Sequence, residues 1–464
     1  MLSLDMAKRL LLLPALIALC TGCSTKFSGP VPSAAQLEWQ QMEYNMFVHF
    51  GPNTFSGLEW GQGTEAEDLF APTDLDCRQW AATAAAAGMK GIIITAKHHD
   101  GFCLWPNPES SHTVAQSSWR DGKGDVLAEL SSACREYGLK FGVYISPWDR
   151  NDPAYGTPEY NRKFVRTLQD VHGGRYGEIF EQWFDGACGE GPDGKKQVYD
   201  WPLFNSTVLG LSPSAVIFSD VGPGCRWVGN ERGSACETNW STLDTEGFTP
   251  GAAAPPRDTL QQGNVHGAHW VPAETDVSIR PGWFWRESEN ERVKSVDDLM
   301  KIWIGSVGRN SLLLLNVPPD TRGRIHEIDS LRLMEFRAAR EAAFGCNLAS
   351  DGRLKACRAR NGRPAVWTLT LPEPRTFNYV QLQEDIRYGQ HIAAFRVEAL
   401  VDSDSLTGCA DDGNPSAPAW QTLAEGTTIG YKRILPIAPT TACAVRVVVI
   451  STHARPFLNG ISLF

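Results

Sequence analysis

The sequence lacks several features that would point to a nucleic-acid-binding or repetitive protein. Its 464 residues contain no low-complexity tract and no short internal repeat, which excludes solenoid and fibrous architectures. The 43 Lys and Arg residues are outnumbered by 53 Asp and Glu residues, giving a formal net charge of −10, and the basic residues form no cluster. Because a phosphate-binding surface needs clustered positive charge, nucleic acid is excluded as a partner.

The ten cysteines beyond Cys23 show no CxxC pair, so the sequence also lacks the ligand spacing of a zinc ribbon. Their spacing is scattered over the chain. In an oxidising compartment some of them would form disulfides. The local pairs that we consider are Cys346 with Cys357 and Cys409 with Cys443.

The N-terminus has the composition of a targeting segment. Two basic residues precede the apolar stretch from Leu10 to Cys20, which is short for a membrane span. Small residues ahead of Cys23 resemble a bacterial lipobox. We predict a signal peptide at residues 1–22, lipidation of Cys23, and a periplasmic or outer-membrane-anchored protein that meets the membrane only through its lipid. An ordinary cleaved signal peptide is the alternative.

Beyond the leader, short apolar runs alternate with helical patterns, which indicates β/α units around a parallel sheet. We predict a polar tether at 23–40, a (β/α)8-like catalytic barrel of the TIM type at 41–345, and a C-terminal β-sandwich at 346–464, where helical periodicity disappears. The stretch 222–295 is rich in Gly, Pro and Trp and is predicted as long functional loops. The predicted barrel strands are Phe47–Phe50, Gly91–Lys97, Lys140–Ser146, Glu178–Gly186, Ala215–Asp220 and Ser311–Asn316.

Polar side chains follow these apolar runs, where a barrel enzyme places its catalytic groups. Each polar residue alone is weak support, because strand ends commonly carry structural polar groups. Their convergence on one rim is what predicts a site. The residues concerned are His49, His98, His99, Asp100, Tyr144, Asp149, Trp183, Asp185 and Asp220.

Strand alternation ranks the carboxylates near the fourth predicted strand. A period of two places Glu181, Trp183 and Asp185 on one face. If that face lines the barrel, Asp185 is uppermost and Glu181 lies deeper. A carboxylate at the rim can attack an anomeric carbon when a second carboxyl group protonates the leaving oxygen.

We do not predict a metal site at His98 and His99. Adjacent residues of an extended strand point to opposite faces, so the two imidazoles do not easily share one ion. No third ligand stands at a recognisable spacing. We therefore predict hydrogen bonding to hydroxyl groups for these histidines, and no metal.

Five ordered motifs between residues 40 and 344 together resemble the α-L-fucosidases of glycoside hydrolase family 29. The resemblance extends less specifically through the C-terminal domain, which is similar to the discoidin-like sandwiches appended to glycosidases. The motifs are His49-Phe-Gly51, His98-His-Asp-Gly-Phe102, Trp183-Phe-Asp-Gly186, Ser278-Ile-Arg-Pro-Gly-Trp-Phe284 and Leu313-Leu-Leu-Asn316.

The resemblance implies a retaining hydrolase of terminal α-L-fucosyl groups, with Asp185 as the nucleophile. It implies a fucosylated oligosaccharide or glycoconjugate as substrate and no catalytic cofactor. Analogous sandwiches hold a structural calcium ion, but no ligand set for calcium is evident here. Groups expected to bind substrate are His49, Trp60, His98, His99, Tyr144, Trp183 and Arg226, with Phe47, Phe50, Trp283 or Trp285 as the apolar wall for the fucose methyl group.

The proton donor is the harder assignment. The segment Arg226–Gly233 resembles the branch of the family that acts on α-1,3/1,4-linked fucose, and this favours Glu231 as acid/base. Arg226 would then contact the sugar or orient Glu231. Glu274 and Glu287 remain alternatives. Two other functions also stay open, a barrel glycosidase of different specificity and a non-catalytic fucose-binding lipoprotein.

Overall fold

The computed structural model describes residues 29–360, 362–401 and 420–464, and its N-terminal two thirds form a closed barrel. The strands up to residue 316 are β1 (Tyr44–Val48), β2 (Gly91–Lys97), β3 (Lys140–Ile145), β4 (Ile179–Trp183), β5 (Val216–Ser219), β6 (Cys225–Trp227), β7 (Thr242–Leu243), β8 (His269–Trp270), β9 (Ala273–Ser278) and β10 (Ser311–Asn316). Eight of them are parallel neighbours in the closed order β1-β2-β3-β4-β5-β6-β9-β10, while β7 and β8 pair separately. The predicted TIM-type barrel is confirmed.

Helices surround the barrel and cover its outer face. In α4, Asp125 caps the first turn by accepting from the Ala128 N–H, and Val126, Leu127 and Leu130 are buried. None of the described helices is long and apolar enough to cross a bilayer. The helices are α1 (Ala34–Met42), α2 (Pro52–Ser56), α3 (Cys77–Ala86), α4 (Val126–Glu136), α5 (Pro158–His172), α6 (Trp201–Leu211), α7 (Arg257–Gln262), α8 (Val296–Gly305) and α9 (Glu327–Phe344).

Helix α1 packs against the base of the barrel, in a segment predicted to be a tether. Ser33 and Gln36 form a reciprocal capping box at its start. The Gln36 amide also donates to the carbonyls of Gly224 and Trp270, at 2.8 and 2.7 Å. Trp39 is 2% exposed and belongs to the apolar cluster inside the barrel. For residues 34–40 the tether prediction is therefore wrong.

The stretch 222–295 supplies two barrel strands that sequence patterns did not predict. Strand β6 has only three residues, too short for a periodicity to be recognised. Strand β9 reads Ala-Glu-Thr-Asp-Val-Ser, and all six residues are buried although four carry polar side chains. The barrel thus closes through a region whose composition is typical of loops.

The C-terminal domain is an antiparallel sheet in the order β11-β12-β15-β13-β14, with β16 paired to β12. Both halves of the long strand β12 contribute to one apolar core, for example Leu369 and Leu382. This agrees with the β-sandwich expected from the loss of helical periodicity. The strands are β11 (Arg353–Cys357), β12 (Val366–Glu384), β13 (Ile392–Leu400), β14 (Trp420–Gly426), β15 (Arg433–Thr452) and β16 (Leu458–Leu463).

A buried polar network joins the sheet to the barrel. The Gln390 amide donates to the Asn239 carbonyl at 2.9 Å and accepts from the Ser241 N–H at 2.7 Å. Asn310 also contacts this group. Such a fully bonded polar contact orients two domains as well as holding them together.

The expected disulfides are not supported where the structure describes both cysteines. Cys346 and Cys357 are both exposed free thiols, so that prediction is wrong. Cys409 lies outside the described residues, and its pairing with Cys443 stays a prediction.

Candidate active site

The mouth of the barrel, at the carboxyl ends of its strands, collects the polar side chains expected there. Because all eight strands are parallel, residues that follow different strands meet on one rim. His49 follows β1, Tyr144 lies near the end of β3, and Asp185 follows β4. These groups are brought together by tertiary pairing from positions up to 136 residues apart in the sequence.

Asp185 is held at this mouth with both carboxylate oxygens bonded. The Tyr144 hydroxyl donates to Oδ2 at 3.0 Å, and the Ala187 N–H donates to Oδ1 at 2.8 Å. His99 Nε2 lies 3.7 Å from Oδ2. The side chain remains 29% exposed, so a ligand can reach a carboxylate whose orientation is already set. Glu181 and Trp183 point into the barrel below it, as strand alternation predicted.

Three imidazoles line one side of the site and are neutral at physiological pH. Burial lowers the pKa of His49 to about 3 and that of His99 to about 4, and it holds the pKa of His98 well below its ordinary value. His49 Nδ1 is 2.8 Å from the Asn316 amide oxygen, and His99 Nδ1 is 2.8 Å from the Ser146 hydroxyl. Each of these rings therefore keeps Nε2 for another partner, as hydroxyl recognition requires.

Aromatic rings form the floor and walls of the site. Trp183 stacks on Phe218, with ring centroids 3.7 Å apart and 7° between planes, and on Tyr144 at 5.3 Å. Trp283 lies 5.0 Å from His49. Trp60 is 56% exposed and meets His99 edge-on at 5.8 Å. An exposed indole at a polar pocket is suited to the apolar face of a sugar.

Glu231 lies in the loop after β6, at the edge of a cleft of about 470 Å³ that also involves Trp227 and Arg257. Partial burial raises its pKa, and the charge of Asp185 adds to the rise, while a hydrogen bond with Trp283 opposes it. The carboxyl group keeps a solvent-exposed edge. A carboxyl group with a raised pKa close to a second carboxylate has the properties of a general acid.

The two alternative proton donors, Glu274 and Glu287, lie in surroundings that differ from those of Glu231. Glu274 is fully buried inside the barrel, where it accepts from the Trp183 indole N–H at 2.8 Å. Glu287 begins a short 3-10 turn on the surface. Neither position favours proton transfer to a substrate at the mouth.

Arg226 does not line the pocket, and the prediction that it contacts substrate or Glu231 is wrong. Its side chain is fully buried on the outer side of β6. The guanidinium donates to the Leu260 carbonyl at 2.9 Å, to Asn239 Oδ1 at 2.8 Å and to the Val271 carbonyl. It thereby ties together the loops that follow β6, and burial lowers its pKa to about 9.

Two aromatic predictions also change. The Trp285 ring packs 6.0 Å from His326 and 5.8 Å from the Arg280 guanidinium, and the structure does not bring it to the rings around Asp185. Phe284 does reach the site, 5.4 Å from His49. Phe50 packs among Phe55, Phe70 and Trp80 outside the barrel, so it is not a pocket wall.

Sequence reasoning missed Asp276 and Trp148 and left Asp220 without a role. Asp276 is buried on β9, and burial, followed by the charges of Glu231 and Glu274, holds its pKa well above normal. Trp148 lies 4.8 Å from His99. Asp220 accepts from the Gly251 N–H at 3.0 Å, and burial raises its pKa to about 6. Asp276 could have been identified from the sequence only if β9 had been predicted as a strand.

Among the described residues, one group has the ligand types and spacing for a metal ion. It consists of Glu181, Cys225 and Glu274, with ligand atoms within 4.8 Å of one another, all buried below the pocket. His98 and His99 are not part of it.

An eight-stranded parallel barrel whose mouth holds two carboxyl groups, neutral imidazoles and exposed indoles has the architecture of a glycoside hydrolase. Comparisons with known proteins show to which family of glycoside hydrolases the chain is similar. The sequence model of the family described as alpha-L-fucosidase matches residues 31–338. Alpha-L-fucosidase 1 of Arabidopsis thaliana is 38% identical over 462 residues, which is 94% of this chain and 87% of the relative.

Solved structures agree. A glycoside hydrolase 29 family member from an unknown rumen bacterium superposes with a TM-score of 0.84 at 42% identity, covering 94% of this chain and 77% of that one. A Ruminococcus gnavus GH29 fucosidase in complex with fucose has a TM-score of 0.82 at 29% identity, covering 94% and 95%. The chain belongs to glycoside hydrolase family 29 and is an α-L-fucosidase that acts on fucosylated glycans. The two other functions considered from sequence are therefore set aside.

Proposed function

We propose that this α-L-fucosidase releases α-1,3/1,4-linked fucose from branched oligosaccharides with retention of configuration, using Asp185 as nucleophile and Glu231 as acid/base. The observation that supports it most is the fixed, accessible carboxylate of Asp185 together with the raised pKa of Glu231, to which the Asp185 charge contributes. Both burial and the Asp185 charge thus favour the protonated form of Glu231, as an acid beside a nucleophile requires.

In the first step, Glu231 donates its proton to the glycosidic oxygen as an Asp185 oxygen attacks C1. The bond from C1 to the aglycone oxygen breaks, and a fucosyl ester forms on Asp185. In the second step, the Glu231 carboxylate takes a proton from water. The water oxygen attacks C1, the ester bond breaks, and Asp185 is released as a carboxylate.

The pocket residues would bind fucose in the following way. The free nitrogens of His49 and His99, together with His98, would exchange hydrogen bonds with ring hydroxyls. Trp183, Trp283 and Phe284 would surround the apolar parts of the sugar. The cleft beside Glu231 would hold the aglycone, and its volume of about 470 Å³ suits a branched one.

Two measurements test this function. Proton NMR during hydrolysis of an aryl α-L-fucoside should show α-L-fucose as the first product, since double displacement retains configuration. A first product in the β form would overturn the retaining mechanism. In parallel, Lewis-type trisaccharides should be cleaved faster than an α-1,2-linked fucosyl-galactose. Equal rates, or the reverse preference, would overturn the linkage assignment but not the mechanism.

We also propose export through the segment at 1–22 and lipidation at Cys23, which lie outside the described residues. The composition of that segment supports the proposal. Metabolic labelling with a fatty acid should mark the wild-type protein and not Cys23→Ala. Equal labelling of both, or label in neither, would contradict lipidation at this residue.

A further inference from the structure

A pair of acidic side chains lies inside the barrel, one layer below the fucose pocket. We propose that Glu274 and Glu181 share one proton, and that this pair is a positioning element that fixes Trp183 beneath the reacting groups. The inference concerns the pocket to which we assigned fucose hydrolysis, and it rests on that assignment. It gives a role to two carboxyl groups that the double displacement does not use.

The geometry of the pair is defined by two indole donors. Trp183 Nε1 donates to Glu274 Oε1 at 2.8 Å, and Trp39 Nε1 donates to Glu181 Oε2 at 2.7 Å. Both carboxyl groups have no solvent exposure. Cys225 Sγ lies 3.9 Å from Glu181 Oε1. One oxygen of each acid is therefore bound to an indole, and carboxyl oxygens of the two acids lie within 4.8 Å of each other and of Cys225 Sγ.

The second oxygen of Glu274 indicates where the proton sits. Among the described residues, Glu274 Oε2 has no partner if both acids are treated as carboxylates. A buried oxygen without a partner is costly, whereas a proton on Oε2 would turn it into a donor to Glu181. Arg226, which follows Cys225 in the chain, donates to carbonyls and to Asn239 outside the barrel. Within the part of the chain that the structure describes, no arginine or lysine forms an ion pair with Glu181 or Glu274.

Electrostatics agree with this arrangement. Burial, and then the charge of Glu181, holds the pKa of Glu274 well above its ordinary value, and burial also raises the pKa of Glu181. Two ionised carboxylates in such an enclosed space repel each other, so the first proton is retained. The other titratable groups that face the pair are Cys225 and Asp276, whose pKa values burial also raises.

Trp183 connects the pair to the chemistry. Its ring stacks between Phe218 and Tyr144, and the Tyr144 hydroxyl donates to Asp185. Trp183 is also the last residue of β4, and Asp185 follows it by two residues. A tilt of the indole after loss of its acceptor would therefore move both Tyr144 and the nucleophile. Misplacement of about 1 Å at a reacting group costs up to about 100-fold in rate.

The central comparison is between two substitutions of Glu274. Glu274→Gln keeps the shape, an acceptor for Trp183 and a donor to Glu181, so we expect kcat on an aryl fucoside close to wild type. Glu274→Met has similar volume but no acceptor, and we expect kcat to fall by about 10- to 100-fold with a smaller change in KM. Equal kcat values for the two variants would overturn the proposal.

Leu312→Ala is a matched control for simple loss of packing. Leu312 is the β10 residue paired with Glu274 in register, and it belongs to the buried apolar cluster that contains Trp183. A cavity there should lower the melting temperature while kcat at 25 °C changes little. If Leu312→Ala loses as much kcat as Glu274→Met, the pair is only a packing element and the proposal fails.

A double-mutant cycle tests the route through the indole. If Glu274 acts through Trp183, then Glu274→Met should cost little further kcat in a Trp183→Phe background, which already lacks the N–H donor. Additive losses would contradict the proposal. The cycle is independent of which carboxylates perform the chemistry, and Asp185→Ala and Glu231→Ala report on that separately.

Two measurements on folded protein avoid reliance on the Met variant. The infrared spectrum of the wild type should contain the C=O stretching band of a buried protonated carboxyl group, and Glu274→Gln should lose it. Its absence from the wild type would overturn proton sharing. Metal analysis of the purified enzyme should find no stoichiometric ion, since one zinc per chain at Glu181, Cys225 and Glu274 would replace the proton and overturn the proposal.

Discussion

Buried carboxyl groups are bonded differently in the barrel and in the C-terminal sheet. In the sheet domain, Glu384 accepts three backbone N–H groups, from His391, Ile392 and Gly430, at 2.8 to 3.1 Å. In the barrel, Asp276 Oδ1 and Glu274 Oε2 have no partner among the described residues. Backbone groups therefore bond both oxygens of Glu384, whereas Asp276 and Glu274 each keep one oxygen without a partner.

The difference distinguishes a structural acid from those at or below an active site. A carboxylate bonded to several backbone amides joins segments of the chain and has no further capacity to react. Burial raises the pKa of a carboxyl group in either region, that of Glu384 to about 7, but a group left incompletely bonded near a cleft keeps the ability to exchange protons or bind ligands. The barrel mouth and its interior thus differ from the sheet in function as well as in shape.

Substitution of the nucleophile should have the largest effect. Asp185→Ala should lower kcat on an aryl fucoside on the order of 10⁴-fold, because no other group is fixed to attack C1. Added azide should give only an inverted fucosyl azide, detectable by NMR. Residual kcat near wild type would remove Asp185 from this role.

Removal of the acid should have the next largest effect. Glu231→Ala should lower kcat/KM by roughly 10² to 10⁴-fold for substrates with poor leaving groups, and far less for activated aryl fucosides. Azide should restore turnover and give a fucosyl azide of retained configuration. Glu287→Gln is the control and should behave as wild type. If Glu287→Gln shows this leaving-group dependence and Glu231→Ala does not, the acid/base assignment is wrong.

Substitution of Arg226 tests whether this residue stabilises the fold or contacts the substrate. Arg226→Met removes a buried guanidinium that binds two backbone carbonyls, so the free energy of unfolding in urea should fall by about 3 kcal/mol. The exposed Arg257→Gln should change it by less than about 0.5 kcal/mol. If Arg226→Met instead raises KM without loss of stability, a substrate contact would be restored to this residue.

Asp220, which lies near the nucleophile, should make the free energy of unfolding depend on pH. Burial raises the pKa of Asp220 to about 6 in the folded protein, so the native state binds this proton more tightly than the unfolded chain. The resulting stabilisation is complete below the unfolded pKa of roughly 4 and is lost as pH rises through 6.

Relative to Asp220→Asn, which has no such proton, wild-type stability should therefore decline on the order of 2 kcal/mol between pH 4 and pH 7. Urea unfolding of both proteins across this range measures the difference. Parallel pH profiles for the two proteins would show that Asp220 titrates normally.

The smallest effect is expected for Glu384. Glu384→Gln replaces one acceptor oxygen by an amide donor opposite a backbone N–H, so unfolding free energy should fall by about 1 to 2 kcal/mol. The kcat on an aryl fucoside should not change, because Glu384 lies in the sheet domain. A fall in kcat would show that a buried acid of the sheet domain also influences catalysis.

Elements with strong local patterns were predictable from sequence. The strands Gly91–Lys97 and Ser311–Asn316 were predicted with their observed bounds. Strand β6 was missed because three residues carry no periodicity, and β9 because its polar residues point into the barrel. Burial of polar groups inverts the pattern on which such predictions rest.

The site was predictable only in part, for the same reason. The motif around Trp183 and the alternation of β4 indicated which carboxylate would stand uppermost at the rim. The direction of Arg226 depends on three acceptors from later in the chain, Asn239, Leu260 and Val271, and no local pattern contains them.

The sequence by itself determined the family, the order of barrel and sheet, and the choice of Asp185 as a rim carboxylate. It could do so because motifs and strand alternation are local properties of the chain. Only the tertiary structure decided that Glu274 lies inside the barrel, that Glu231 borders a cleft, and that Arg226 points outward. Burial and like-charge proximity arise from barrel closure, which joins segments that are distant in sequence, and these two effects raise or lower the pKa values on which the chemistry depends.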